Sequence, residues 1–515
     1  MTLWTRLISL GFCCLTLDSG SALVAERVRV VVTDAETGQT VAARAYLKCG
    51  GQAVFPAGAP AYRRGAEEHF LLSGDDSFDL PSSPCELTVA RGLEYEPARL
   101  NFKPAAGLSV SVSLRRWVSM NQSGWFSADM HVHRDPRELG QILPAEDLNF
   151  APTITYHVWS ERASQPFPNA AAFPVIVDES HFFTANSEEV ERIQGGPGAV
   201  VLMARDLPIP FQGDEYYPPA AHFTRQAHRQ GGYVSGDKLF WLDTYVNVAL
   251  GEIDFIEINC NHFLPHDVDT DLIPWSHWPV EMGYYGDLEF AHWMMDFYYQ
   301  ILNCGLTLPL SGGCASGVKA TPVGYDRVYV YLEKQPFTYD NFMRALKEGR
   351  SFSTNGPIID FRINGKVAPG SRADLQRREV IGIDAVVRSR KGLDRVELIV
   401  NGKVWRTYPA AGKLEFRASE KLQPEVSSWV AVRAFEPSDE TLVFAHTSPA
   451  YVLLDRRPVR FPADARAILA KVDQLICYTE TKAKFRTPEQ KAETLALYRE
   501  ARAVYEKLAT DPSAK

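Results

Sequence analysis

The run Asp129-Met130-His131-Val132-His133 puts two imidazoles and a carboxylate at alternate positions. Alternate residues of an extended strand face one way. The three polar groups would then share one face, with Met130 and Val132 turned into packing. Such a face suits Zn²⁺, Mn²⁺ or Fe²⁺, which take imidazole nitrogen and carboxylate oxygen. Without a metal, the same spacing describes two hydrogen-bonded histidines. Arg134 follows directly and is a candidate for meeting an anionic substrate; its alternative is a surface ion pair. A serine-hydrolase reading is weaker. Ser311-Gly312-Gly313 and Ser316-Gly317 imitate the composition of a nucleophile elbow without its Gly-x-Ser-x-Gly order.

The elements that must position these residues differ along the chain. Residues 1–25 read as a signal peptide: Arg6, the apolar Leu7 to Leu17, then small residues from Ser19 to Ala25. This predicts a periplasmic or secreted protein. From 26 to 116 period-two alternation dominates, as in Leu108-Ser-Val-Ser-Val-Ser-Leu114, predicting a β-sandwich. Cys49 and Cys85 fall within that unit and are the best candidates for a disulfide. From 120 to 355 short apolar strands alternate with helical stretches, predicting an α/β unit with parallel strands. From 356 to 455 strands return, with Asn401-Gly402 at a hairpin turn, predicting a second β-sandwich. The tail, 456–515, predicts a helical hairpin broken at Thr487-Pro488.

Composition narrows the function class. There are 54 Lys and Arg against 63 Asp and Glu, a net charge of −9. This argues against a nucleic-acid partner, which asks for a basic face. No segment after the leader is apolar for long enough to span a membrane. Trp159, Trp241, Trp275, His277, Trp278, Tyr284, Tyr285 and Trp293 are dense enough to line a pocket for a small-molecule or glycan-like substrate, though core packing is their ordinary role. Oligomeric state is not legible.

The segment Gly124 to His133 resembles the opening of PHP-family (polymerase and histidinol phosphatase) metallohydrolases, and Thr155-Tyr156-His157 resembles their following Thr-Asp-His. The likeness covers roughly 120–360 and is nearest to the carbaryl-esterase-like branch. It implies a distorted β/α barrel flanked here by two β-sandwiches and the helical tail, and one or two divalent ions. By resemblance the ligands are His131, His133 and His157, with Glu189 (or Glu188), Asp237 and His262 (or Glu257) completing the set. Asp129 would orient a ligand histidine, and Lys238 lies beside Asp237, either at the reaction or neutralising that carboxylate. The final family motif is degenerate: Gly312-Gly313-Cys314-Ala315-Ser316 stands where Gly-Ser-Asp-Ala-His is expected. Cys314 then reads as a buried thiol. The loop's backbone N–H groups and the Ser316 hydroxyl read as substrate contacts beside the histidines. The implied reaction is hydrolysis of an ester, amide, carbamate or phosphoester. The missing ligands favour the alternative, a degenerate domain that binds a ligand or glycan without turnover; an adhesion role for the β domains is a third reading.

Overall fold

The computed structural model describes residues 25–159, 162–163, 173–192, 195–203, 209, 213–270, 284, 286–376 and 379–510. Almost all of the expected leader, 1–25, lies outside them. The molecule is predominantly β, with several sheets and seven helices among the described residues.

The first unit follows from alternation. Val28, Val30 and Val32 of strand Ala25–Asp34 are buried, while Glu26, Arg27 and Arg29 face outward or stand half-exposed. That strand lies between Asp75–Pro81, antiparallel, and Leu108–Leu114, parallel. A six-stranded sheet centred on Ala43–Cys49 and Cys85–Ala90 supplies the facing side chains, including Ala45, Leu47, Phe70, Leu87 and Val89. Cys49 and Cys85 sit opposite one another in the register of those two strands and are disulfide bonded.

The middle of the chain forms a strongly curved sheet. Strand Phe150–Trp159 runs parallel to His181–Arg192. The latter pairs antiparallel with Gly195–Met203, and that with Tyr233–Lys238. Parallel order resumes through Phe255–Asn259 to Leu310–Gly312. The two ends meet: the Met130 amide donates to the Gly312 carbonyl at 2.9 Å, and Val132 bridges to both Thr153 and Ser316. The all-parallel layout expected from the sequence is thus corrected by an antiparallel hairpin at 181–203. Its acidic run Glu188-Glu189-Val190-Glu191 is strand because these carboxylates are buried on both faces of the sheet rather than solvated. Helices Ala221–Arg229, Asp287–Asn303 and Tyr339–Lys347 pack outside.

The expected boundary at 355/356 is not a break in hydrogen bonding. Strand Ser351–Thr354 pairs with Val443–Thr447, so the C-terminal β unit continues the central sheet. Its long hairpin, Ile381–Val400 and Lys403–Leu422, turns at Asn401 (φ 51°) and Gly402 (φ 80°), both left-handed as the two-residue turn requires. Helices Pro462–Thr481 and Pro488–Thr510 pair and pack back on the middle region, where the Tyr505 hydroxyl donates to the Tyr245 carbonyl at 2.7 Å. No described helix is long and apolar enough to cross a membrane.

Candidate metal centre

Strand Trp125–Ala128 ends just before the histidines, the chain bends at Met130, and Val132 rejoins the neighbouring segments through bridges to Thr153 and Ser316. Met130 and Val132 are fully buried in two separate apolar clusters. That fixes His131 and His133 toward the opposite side. The glycines of the late loop let them approach. A Cβ on Gly313 would fall 2.4 Å from the His131 Cβ, and one on Gly317 (φ 104°) 2.5 Å from the His133 carbonyl.

Three ligand side chains then converge. The Nε2 atoms of His131 and His133 are 3.1 Å apart. Glu189 places Oε1 3.6 Å from His131 Nε2 and Oε2 3.3 Å from His133 Nε2. Bonds of about 2.1 Å in a tetrahedral shell put ligand atoms roughly 3.4 Å apart. Two neutral imidazoles and one carboxylate at this separation suit a single divalent ion in charge, chemistry and span.

A second group lies behind His131. Its Nδ1 is 3.2 Å from Glu257 Oε2 and 3.4 Å from Asp237 Oδ1. These three could also hold an ion. A histidine bound to a metal through Nε2, however, ordinarily donates its Nδ1–H to a carboxylate, which fixes the tautomer and raises ligand basicity. Glu257 and Asp237 are placed for that. Lys238 Nζ sits 2.6 Å from Asp237 Oδ2, and the Trp241 indole donates to the same oxygen at 3.0 Å. Asp237 is therefore already balanced, which fits it as an orienting group better than as the ligand expected from the sequence.

The electrostatics agree. Burial opposes charge on His131, yet Glu257 and Glu189 raise its pKa well above the ordinary value. Burial pushes the Glu257 carboxyl up to about 7, with His131 pulling against it. Burial likewise opposes charge on Lys238, but Asp237, Glu189 and Glu191 hold its ammonium protonated. The pocket is thus built to hold positive charge against buried carboxylates.

The remaining expected residues fall elsewhere. His157 pairs in register with Glu189, but its side chain lies outside the described residues. Glu188 turns away to accept the Ile209 amide at 2.9 Å, and burial lifts its pKa to about 8. His262 is not in the converging groups: Nδ1 is taken by the Asp269 carbonyl, the ring stands edge-on to Phe240 at 5.1 Å, and burial followed by Lys238 lowers its pKa to about 4. Glu257, the lesser choice on sequence, occupies the place given to His262. Asp129 does not orient an imidazole. Its carboxylate accepts the amides of His131, Cys314 and Gly324 and the Cys314 thiol at 2.7 Å, which knits the late loop to the first strand. Burial and Asp129 hold that thiol far above its usual pKa, so Cys314 is no thiolate ligand.

Other corrections concern substrate contacts. Arg134 is tied to Glu138 at 2.8 Å and lies over the Tyr62 ring. The Ser316 hydroxyl donates to the Thr321 carbonyl at 2.8 Å. The loop amides are spent internally: Gly313 on Asn259, Cys314 on Asp129, Ala315 on His131 and Gly317 on the Tyr62 hydroxyl. These four are not left for a substrate oxygen. Trp241 and Trp293 belong to the apolar core, whereas Trp159, Trp275, His277, Trp278 and Tyr285 lie outside the described side chains. Sequence reasoning gave no role to Asp326. Its oxygens are buried, and burial beside Asp129 and Glu257 holds its carboxyl well above the usual range, with the Asn355 side chain pulling against it. Its place after Gly-Tyr in a loop carried no such signal.

No protein-family model and no curated protein matches the chain. Among solved structures it is similar to the solution structure of the CARDB domain of PF1109 from Pyrococcus furiosus. The identity is 11%, over 20% of this chain and 97% of that one, with a TM-score of 0.14. A likeness this slight carries no argument about the site.

Proposed function

We propose that this chain is a metal-dependent hydrolase of the PHP type, a distorted barrel holding one divalent ion on His131, His133 and Glu189. The observation that carries the reading is the convergence of two imidazole Nε2 atoms, 3.1 Å apart, on the Glu189 carboxylate, whose Oε1 is 3.6 Å from His131 and whose Oε2 is 3.3 Å from His133. Zn, Mn and Fe all accept this donor set. When bound, the ion supplies Lewis acidity and water activation. The chain's own contribution is orientation: Glu257 and Asp237 hold His131 by its Nδ1–H, and Lys238 keeps Asp237 from competing as a ligand. The substrate class is a small molecule with an ester, amide, carbamate or phosphoester bond. The Cys49–Cys85 disulfide is in keeping with export to an oxidising compartment.

Metal analysis of the purified full chain tests this. About one ion per chain is expected, lost in His131→Ala/His133→Ala while circular dichroism retains the β signal. Hydrolysis of p-nitrophenyl acetate, a naphthyl carbamate or bis-p-nitrophenyl phosphate should vanish on chelation and return with metal. Metal retained without turnover of any of the three would favour the non-catalytic binding reading instead.

A further inference from the structure

A large cavity does not touch the metal centre. It encloses about 690 Å³ and lies where the N-terminal sandwich, the Pro322–Arg327 segment and the C-terminal β unit meet. None of His131, His133, Glu189, Asp237 or Glu257 lines it. The volume falls within the range of small-molecule sites.

Its wall brings together four guanidiniums, Arg44 and Arg99 from the N-terminal unit, Arg327 from the middle of the chain and Arg390 from the C-terminal β unit. Arg327 is only 1% exposed. Its Nε donates to the Gly324 carbonyl at 2.6 Å and its Nη2 reaches the Glu146 carbonyl at 3.4 Å, but Nη1 has no partner. Arg44 is paired with Glu146 through Nη1, and its Nε is likewise without a partner. Arg390 gives one N–H to the Tyr95 carbonyl and forms no ion pair with a carboxylate.

The acids on the same wall are engaged with other groups. Glu146 is used by Arg44, Glu67 by Tyr46 and His69, Glu440 by His266, and Glu86 lies 3.9 Å from Arg99. Glu68 and Lys391 stand exposed. A buried N–H left without a partner is costly, and Arg327 and Arg44 each carry one here. Burial depresses the Arg390 pKa, Glu436 and Glu96 pull against that, and Arg44 and Arg327 add to it.

We infer that this three-way junction is a second ligand site, which takes a small molecule through a phosphate-type oxyanion held by Arg327 and Arg390. Guanidinium forks match such oxygens in pairs. Because the cations come from three parts of the chain, the ligand would also tie those parts together. The inference does not depend on the metal reading.

Inorganic phosphate and its heavy analogue tungstate test it on the full chain. Crystals soaked in tungstate should show a tungsten anomalous peak in ion-pair contact with Arg327 and Arg390. Titration calorimetry should give a saturable phosphate site weakened at least about tenfold in Arg390→Ala, the cost of one charge-assisted contact. Arg390 is half-buried, so this variant should keep its fold where Arg327→Ala fails, and circular dichroism checks that. The His131→Ala/His133→Ala variant should keep the phosphate site, which separates it from any phosphate bound at the metal centre. Tungsten found only at His131, His133 and Glu189 or only on the outer surface overturns the inference, as does an unchanged affinity in Arg390→Ala.

Discussion

Two buried histidine sites in this molecule have opposite chemistry. His131 faces carboxylates on both ring nitrogens, Glu189 on one side and Glu257 with Asp237 on the other. His446 is as deeply buried, but the Tyr299 hydroxyl donates to its Nε2 and its Nδ1–H donates to the Thr447 carbonyl, each at 2.8 Å. The first environment raises the imidazole pKa well above normal; in the second, burial lowers it to about 3. One site calls for a cation and the other keeps a neutral ring as a polar wedge between Tyr299 and Tyr298. Burial of histidine is therefore no sign of a metal. What distinguishes the two is whether the neighbours are carboxylates or neutral groups.

The largest contrast comes from removing those carboxylates in turn. Glu189→Gln takes away a ligand oxygen's charge and should all but abolish metal retention. Glu257→Gln leaves the ligands and should weaken metal affinity by roughly 10–100-fold, as expected for an orienting partner. Competition with a metallochromic chelator measures both. If Glu257→Gln proved the more damaging, the ion would sit on the Nδ1 side and the assignment of the two groups would reverse.

His446 should act through stability alone. Its folded pKa of about 3 lies below the ordinary value near 6.5, so the unfolded chain binds the extra proton between these limits. The stabilising contribution is complete above pH 6.5 and lost as pH falls toward 3. At pH 5 the loss is about 2 kcal/mol. His446→Phe should flatten the acid limb of a urea-denaturation series while costing about 1–3 kcal/mol at neutral pH for the acceptor taken from Tyr299. Metal content should not change. An acid limb as steep as in the wild type would contradict the neutral-wedge account.

The smallest effect belongs to the helical tail. Burial against the Phe297 ring lowers the Lys471 pKa to about 8. A folded pKa below the unfolded one means that stability rises with pH between about 8 and 10.5. Lys471→Met should remove that slope and raise the thermal midpoint at pH 7 by a few degrees, equivalent to about 1 kcal/mol. A lower midpoint would mean that the ammonium's contact with the ring outweighs its desolvation.

The same contrast explains what the sequence could and could not reveal. Alternation in Val28-Arg29-Val30-Val31-Val32 and Leu108 to Leu114 announces strands directly, because a half-buried sheet imposes period two. His131 and His133 were legible by the same rule. The antiparallel hairpin at 181–203 was not, since the run Glu188-Glu189-Val190-Glu191 shows no apolar alternation although all four residues are buried in strand. The choice of Glu257 over His262 rests on long-range register between Phe255–Asn259 and its neighbours, which no local pattern encodes. Asp129 is the converse case. Its position beside the histidines suggested a role on their rings, but the chain bends after Ala128 and turns the carboxylate to the late loop.

The central claim is one ion on the Nε2 side of His131. Anomalous diffraction at the metal absorption edge, on crystals of the full chain grown with Zn²⁺ or Mn²⁺, tests it most directly. The account predicts a single strong peak within about 2.0–2.2 Å of His131 Nε2, His133 Nε2 and a Glu189 oxygen. A peak bonded instead to His131 Nδ1, Asp237 and Glu257, or no peak between the two histidines at saturating metal, would contradict it.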